Sequence, residues 1–231
     1  MIDLQQGDYI YKGTILKQNR DTEAMLVFLA DIGKTWIFVQ GRGHNRFLGA
    51  TEPINWGEFC LYKNSHGLFA RSINIKNDFL HLRRDAKSLY LATKIYTLLC
   101  DKLPLEIENN SLLQSLYDTL TLIDEGANGE ATFFRFLAKF LASYGVMPSF
   151  NVCGNCGSVI NDSAFLSNRG VFCDKCGTSD SLHLGENDLR EAKAALSLPH
   201  EEFLLWCRAE KQTSKFKFFS NILETYFDKL K

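Results

Sequence analysis

Four cysteines in two matched turns are the residues of this chain best placed to do chemistry. The turns are Cys153-Gly154-Asn155-Cys156-Gly157 and Cys173-Asp174-Lys175-Cys176-Gly177, with sixteen residues between Cys156 and Cys173. A C-x-x-C turn brings two thiolates together, and two such turns supply the four-sulfur tetrahedron that zinc prefers. The glycine after each second cysteine is expected to turn the backbone with positive φ, so that main-chain amides point at a sulfur. The spacing matches ribbon-type zinc sites. Other readings fit less well. A thioredoxin-like redox pair needs one C-x-x-C beside a βαβ unit, and iron–sulfur clusters use different spacings. Four protein ligands leave no open position for water. Cys153, Cys156, Cys173 and Cys176 therefore predict one structural Zn2+ and no catalytic metal. Of the seven cysteines, Cys60, Cys100 and Cys207 remain; they stand among apolar residues and read as buried thiols.

No catalytic pattern accompanies them. The five histidines are scattered, without H-E-x-x-H spacing, and there is no G-x-x-x-x-G-K-[ST] phosphate loop or G-x-S-x-G elbow. A binding protein is favoured over an enzyme.

The cations offer a second chemistry, the neutralisation of phosphate. Lys12, Lys17 and Arg20 lie along or just after the first predicted strand, Lys34 at a turn, and Arg42 and Arg46 in a glycine-rich loop. Trp36, Phe38, Tyr9 or Tyr11 could stack on bases beside them. Residues 1–78 hold nine basic against eight acidic residues, so a solvated surface over an ordinary aromatic core is the competing reading. A second cluster, Arg208, Lys211, Lys215 and Lys217, alternates with Phe216, Phe218 and Phe219; from residue 207 onward six basic residues face three acidic ones. Cations at a helix start oppose its dipole, which suggests a surface for an acidic partner rather than for helix stability. The competing reading is a solvated helix face.

These groups need elements to position them. The chain has 231 residues, 45% of them hydrophobic, and a formal net charge of −1, a globular composition that neither demands nor forbids nucleic acid. No apolar run approaches the ~18 residues of a membrane span, and the N-terminus lacks the basic and apolar regions of a signal peptide. The expected compartment is the cytoplasm, where thiols stay reduced and disulfides are rare. To about Asp78 the pattern is β: runs at 9–17, 25–30, 35–39, 58–62 and 67–73, with glycine at the turns, predict a small Greek-key barrel, with a sandwich fragment as the alternative. From Arg83 the period is helical. Leu89, Ile95, Tyr96 and Leu99 mark one helix, ending before Pro104. A second, capped by Ser111, carries Leu112, Leu113, Leu116, Leu120 and Ile123. A third carries Phe133, Phe136, Leu137, Phe140, Leu141 and Tyr144 as core and stops at Gly145 and Pro148. Helices resume near Asn187, and a last one holds Phe216, Phe219, Leu223, Tyr226 and Leu230.

Taken in order, these pieces resemble the RecO family of bacterial DNA-repair proteins. Gly13-Thr14-Ile15-Leu16-Lys17 with Glu23 resembles its opening strand and turn. Gly33-Lys34, Val39-Gln40-Gly41-Arg42 and Pro53 resemble its next hairpin and basic loop. Gly145-Val146-Met147-Pro148, the first cysteine turn, Phe165, Gly170-Val171 and the second turn resemble its metal site, and Ser214-Lys215-Phe216-Lys217-Phe218-Phe219 its last helix. The resemblance implies an α+β multidomain fold: an OB-fold β-barrel over 1–78, then a helical domain over 79–150 and 180–231 interrupted at 151–179 by a four-cysteine zinc finger. It implies a nucleoid-associated recombination mediator that binds single- and double-stranded DNA and anneals complementary strands. It also implies action with RecR, and with RecF in some pathways, to load RecA onto DNA coated by single-stranded DNA-binding protein. In that setting Lys12, Lys17, Arg20, Lys34, Arg42 and Arg46 are the expected DNA contacts. Arg208, Lys211, Lys215 and Lys217 are the expected receptor for the acidic tail of single-stranded DNA-binding protein. The near-neutral charge departs from the family's usual basic character and implies weaker or partner-dependent DNA affinity. The reading of a different class is a zinc-containing protein–protein adaptor with little DNA binding of its own.

Overall fold

The computed structural model describes residues 5–19, 23–39, 47, 49–209 and 215–229. The chain divides into two compact units, 1–120 and 121–231.

In the first unit five strands form a closed barrel: β1 (Gly7–Asn19), β2 (Ala24–Leu29), β3 (Gly33–Phe38), β4 (Trp56–Asn64) and β5 (Gly67–Asn77), in the order β1-β2-β3-β5-β4. All neighbours are antiparallel except β3 and β5, which meet in parallel at Phe38 and Phe69. This is the Greek-key barrel of the OB fold. Its first strand serves both sides of the closure, pairing with β4 over Gly7–Thr14 and with β2 over Gly13–Asn19. A bulge between Ile15 and Lys17 bends β1 between these two tasks. Alternation sends Ile15, Met25, Val27, Leu29, Ile37, Phe59 and Leu61 inward, where they form the barrel core.

The helices of this unit are α1 (Leu80–Arg84), α2 (Ala86–Lys102) and the start of α3 (Asn110–Asp124), within which the division falls. At five residues, α1 is too short to leave a readable period. Asp85 caps α2, its carboxylate accepting from both the Ser88 amide and hydroxyl. The buried stripe of α2 is Leu91, Ala92, Ile95, Tyr96 and Leu99. It lies on the outside of the barrel. Thr14, Phe28 and Lys34 stand opposite one another across β1, β2 and β3, and all three are buried. The Tyr96 hydroxyl meets Thr14 Oγ1 at 2.7 Å, and Lys34 Nζ donates to Cys100 O at 2.6 Å and Leu99 O at 3.3 Å. The cap of α3 is Asn109 rather than the expected Ser111: Asn109 Oδ1 accepts from the Leu112 amide at 3.0 Å, and the Ser111 hydroxyl donates to that same oxygen.

In the second unit α4 (Gly129–Ser143) is capped by Asn128 and buries nearly its whole length. Phe134 is the hub, with the rings of Phe216, Phe219 and Phe150 at 5.4, 5.7 and 6.0 Å. Gly145, at φ 70, ends the helix. A three-stranded sheet follows, β6 (Ala164–Ser167), β7 (Gly170–Phe172) and β8 (Leu182–Leu184), in the order β7-β6-β8. Then come α5 (Glu186–Ser197), α6 (His200–Ala209), α7 (Phe216–Glu224) and a 3-10 turn over Thr225–Lys229. Phe133, Phe136, Leu137, Phe140 and Leu141 are core, as their spacing predicts, while Tyr144, at the C-cap of α4, is half-buried.

Candidate metal centre and nucleic-acid interface

The β6–β7 hairpin brings the two cysteine turns together. The first turn is closed by the Gly157 amide donating to Cys153 O at 3.0 Å and the Cys153 amide to Ser158 O at 2.8 Å. The second is closed by the amides of Cys176 and Gly177, both donating to Cys173 O at 2.9 Å. The Gly154 amide donates to Val171 O at 2.8 Å, joining the first turn to the strand that feeds the second. All four sulfurs lie within 4.8 Å of one another, and those of Cys156 and Cys173 are 3.8 Å apart. Four sulfurs about 2.3 Å from a tetrahedral zinc are about 3.8 Å from each other, so the constellation fits that ion.

The electrostatics favour thiolate at Cys153 and Cys173. Amide N–H groups of Cys156, Cys173 and Asn155 point at Cys153 and lower its pKa to about 6. The Ser158 hydroxyl does the same for Cys173, helped by the Lys175 amide. At Cys176 the Asn155 side-chain amide acts downward, but Cys156, burial, Cys173 and Cys153 outweigh it and push the thiol up to about 11. Without a cation, four neighbouring thiols cannot all ionise. The turn glycines differ from expectation in one respect. Gly157 has the expected positive φ of 71, whereas Gly177 does not adopt positive φ; a Cβ there would stand 2.3 Å from the Phe165 ring.

The six cations expected at phosphate separate. Lys12 is exposed on β1, opposite Glu58 of β4. Lys17 is exposed beside the bulge, in a cross-strand row with Leu26 and Trp36. Lys34 is corrected: it is only 5% exposed, its ammonium is bound to the last carbonyls of α2, and it is no surface cation. The sequence shows a lysine at a turn but not the helix that later covers its row. Arg20, Arg42 and Arg46 lie outside the described residues. Of the aromatic candidates, Tyr11 is in the barrel core with Tyr9 packed against it, while Trp36 and Phe38 are partly exposed on the outside.

The C-terminal cations also separate. Arg208 donates to Glu125 O at 2.8 Å, just past the end of α3. Lys215 pairs with Asp188, whose carboxylate also accepts from the Gly185 amide at the start of α5. Lys217 is exposed beside Phe218, which is 55% exposed, and Lys211 lies outside the described residues.

One group escapes a reading based on helical core alone. Arg84, Lys87 and Tyr90 are exposed, and Lys94 is half-buried one turn beyond. The spacing of Lys87, Tyr90 and Lys94, at i, i+3 and i+7, is the signal that could have found them. Arg83 beside them is committed inward, to Pro53 O at 2.7 Å and Asn55 Oδ1 at 2.9 Å.

An OB-fold barrel followed by helices that carry a paired four-cysteine module is an α+β multidomain architecture. This chain belongs to the RecO family of DNA repair proteins: residues 83–224 match the family described as recombination protein O, C terminal. The DNA repair protein RecO of Alkaliphilus metalliredigens is 27% identical over 186 residues, covering 77% of this chain and 76% of that protein. RecO of Caldicellulosiruptor saccharolyticus is 23% identical over 180 residues, 75% of this chain and 74% of its own. RecO of Listeria monocytogenes is 26% identical over 186 residues, 76% and 72% of the two chains. The resemblance drawn from the motifs is borne out. No helix among the described residues is long and apolar enough to cross a membrane.

Proposed function

We propose that this protein is a recombination mediator that binds single- and double-stranded DNA and anneals complementary strands. With RecR, and RecF where that pathway operates, it helps load RecA onto DNA coated by single-stranded DNA-binding protein. Family membership joined to a closed OB barrel supports the reading, because barrels of this kind are a recurrent platform for oligonucleotides. The action is binding rather than catalysis. Lys12 and Lys17 meet phosphates, with Arg20, Arg42 and Arg46 as further contacts, and reduce the repulsion between strands being paired. Lys217 and its neighbours receive the acidic tail of single-stranded DNA-binding protein. Cys153, Cys156, Cys173 and Cys176 hold one Zn2+, which supplies folding free energy to a segment with few apolar residues of its own. The site of action is the cytoplasm, at the nucleoid.

The test is the annealing rate of complementary oligonucleotides across salt concentrations, with and without RecR. The expected result is acceleration by the purified protein that fades as salt rises. Absence of acceleration in every condition would leave the adaptor reading, which the net charge of −1 and the inward commitment of Lys34 favour.

A further inference from the structure

OB barrels commonly present ligands to the face of their second and third strands. Here the row Thr14, Phe28 and Lys34 on that side is buried, and α2 sits over it through Tyr96, Leu99 and Cys100. A nucleic-acid strand approaching over this row meets the back of α2, while Trp36 and Phe38 stay partly exposed further along β3. That back is distinctive. The buried stripe of α2 runs through Leu91, Ala92, Ile95, Tyr96 and Leu99, and Lys87, Tyr90 and Lys94 project from roughly the opposite side. Tyr90 is 67% exposed, much more than an aromatic needs for its hydroxyl to reach water. Arg84, Lys87 and Lys94 are the cations on or beside this side, Arg83 being committed to Pro53 and Asn55, and the one acid within residues 80–97 is Asp85, whose carboxylate is occupied in capping α2. No acidic residue follows until Asp101, two turns beyond Lys94.

We propose that the outward face of α2, with Arg84 at its entry, contacts single-stranded DNA: Tyr90 stacks on a base, and Arg84 and Lys87 meet phosphates. An exposed ring within one turn of a cation matches the two parts of a single strand, a π-face on each base and a charge on each link. An acidic peptide would use the cations and leave the ring without a stacking partner. The proposal rests on the reading that this protein binds single-stranded DNA, and it assigns part of that contact to the helix that covers the barrel.

The experiment is fluorescence anisotropy of a labelled oligo-dT titrated with the full-length protein at several salt concentrations. Tyr90→Ala is expected to weaken binding about tenfold at every salt concentration, and Tyr90→Phe to stay within about twofold, because a stacked ring acts through its π-face. Lys87→Ala is expected to shallow the slope of log K against log salt by about 0.7, the share of one phosphate on a single strand. Thermal unfolding of each variant should match the parent, since both side chains are exposed. If the parent binds and Tyr90→Ala binds equally well, the proposal is overturned while the functional reading stands. Loss in Lys87→Ala alone marks a charge-only surface open to acidic peptides and also overturns it. If the parent does not bind oligo-dT even at low salt, the functional reading falls first and takes this surface with it.

Discussion

Gly157 and Gly177 occupy the same position in their cysteine turns and are held there by different constraints. At Gly157, with φ 71 and open space around a Cβ, the constraint is backbone handedness, which asparagine also tolerates. At Gly177 it is the Phe165 ring, 2.3 Å from where a Cβ would stand. Gly157→Asn is therefore expected to keep its metal and lose less than about 1 kcal/mol of stability, whereas Gly177→Ala must displace the ring or the turn. Elemental analysis and thermal unfolding of the two variants check this; equal metal loss in both would remove the distinction. Lys34 carries a pH dependence. Burial lowers its pKa below the ordinary 10.5, although Cys100 and Asp101 pull the other way. Between the folded value and 10.5 the unfolded chain binds more protons than the folded one, so stability from this group rises with pH across that window and is lost as pH falls through the folded value. The melting temperature of the parent relative to Lys34→Met should rise as pH is taken up toward 10.5; a difference independent of pH would refute it.

At the scale of elements, α2 and α7 illustrate two ways of docking a helix. The apolar stripe of α2 settles on the barrel, and two polar anchors fix its position: Tyr96 on Thr14, and Lys34 on the helix's own final carbonyls. The Thr14 hydroxyl donates to Asn55 O at 2.9 Å, so the Tyr96 hydroxyl must donate to Thr14. By contrast, α7 docks on α4 through rings. Phe216 is fully buried, with Phe134, Phe219 and Trp206 at 5.4, 5.6 and 6.2 Å. Phe216→Ala should cost about 3–5 kcal/mol in the unfolding of the second unit, read as a shift in denaturant midpoint. A cost under about 1 kcal/mol would mean that the neighbouring rings close the gap without difficulty.

For the whole molecule, the stabilising devices are distributed unevenly. The barrel has its own apolar core, whereas the cysteine module has short strands and turns held around four sulfurs. Chelation of the metal is expected to remove hydrogen-exchange protection from 151–184 while the amides of β1, β2 and β4 stay protected. Protection of the module unchanged by a strong chelator would show that it folds without an ion.

The sequence alone makes legible the cysteine site, the five strands and the main helices, because these signals are local: a fixed C-x-x-C spacing, a period of two, then a period of three to four. It also determined the family, through the order in which those pieces follow one another. Which polar side chains remain at the surface depends on long-range packing. Thr14, Phe28 and Lys34 are far apart in the chain, and only the barrel's register sets them in one row and only α2 buries that row. The same helix carries Tyr90 on its other side, still in water. Burial depends on partners distant in sequence, so a lysine at a turn is drawn inside once the fold is formed, while a tyrosine on the covering helix stays in water.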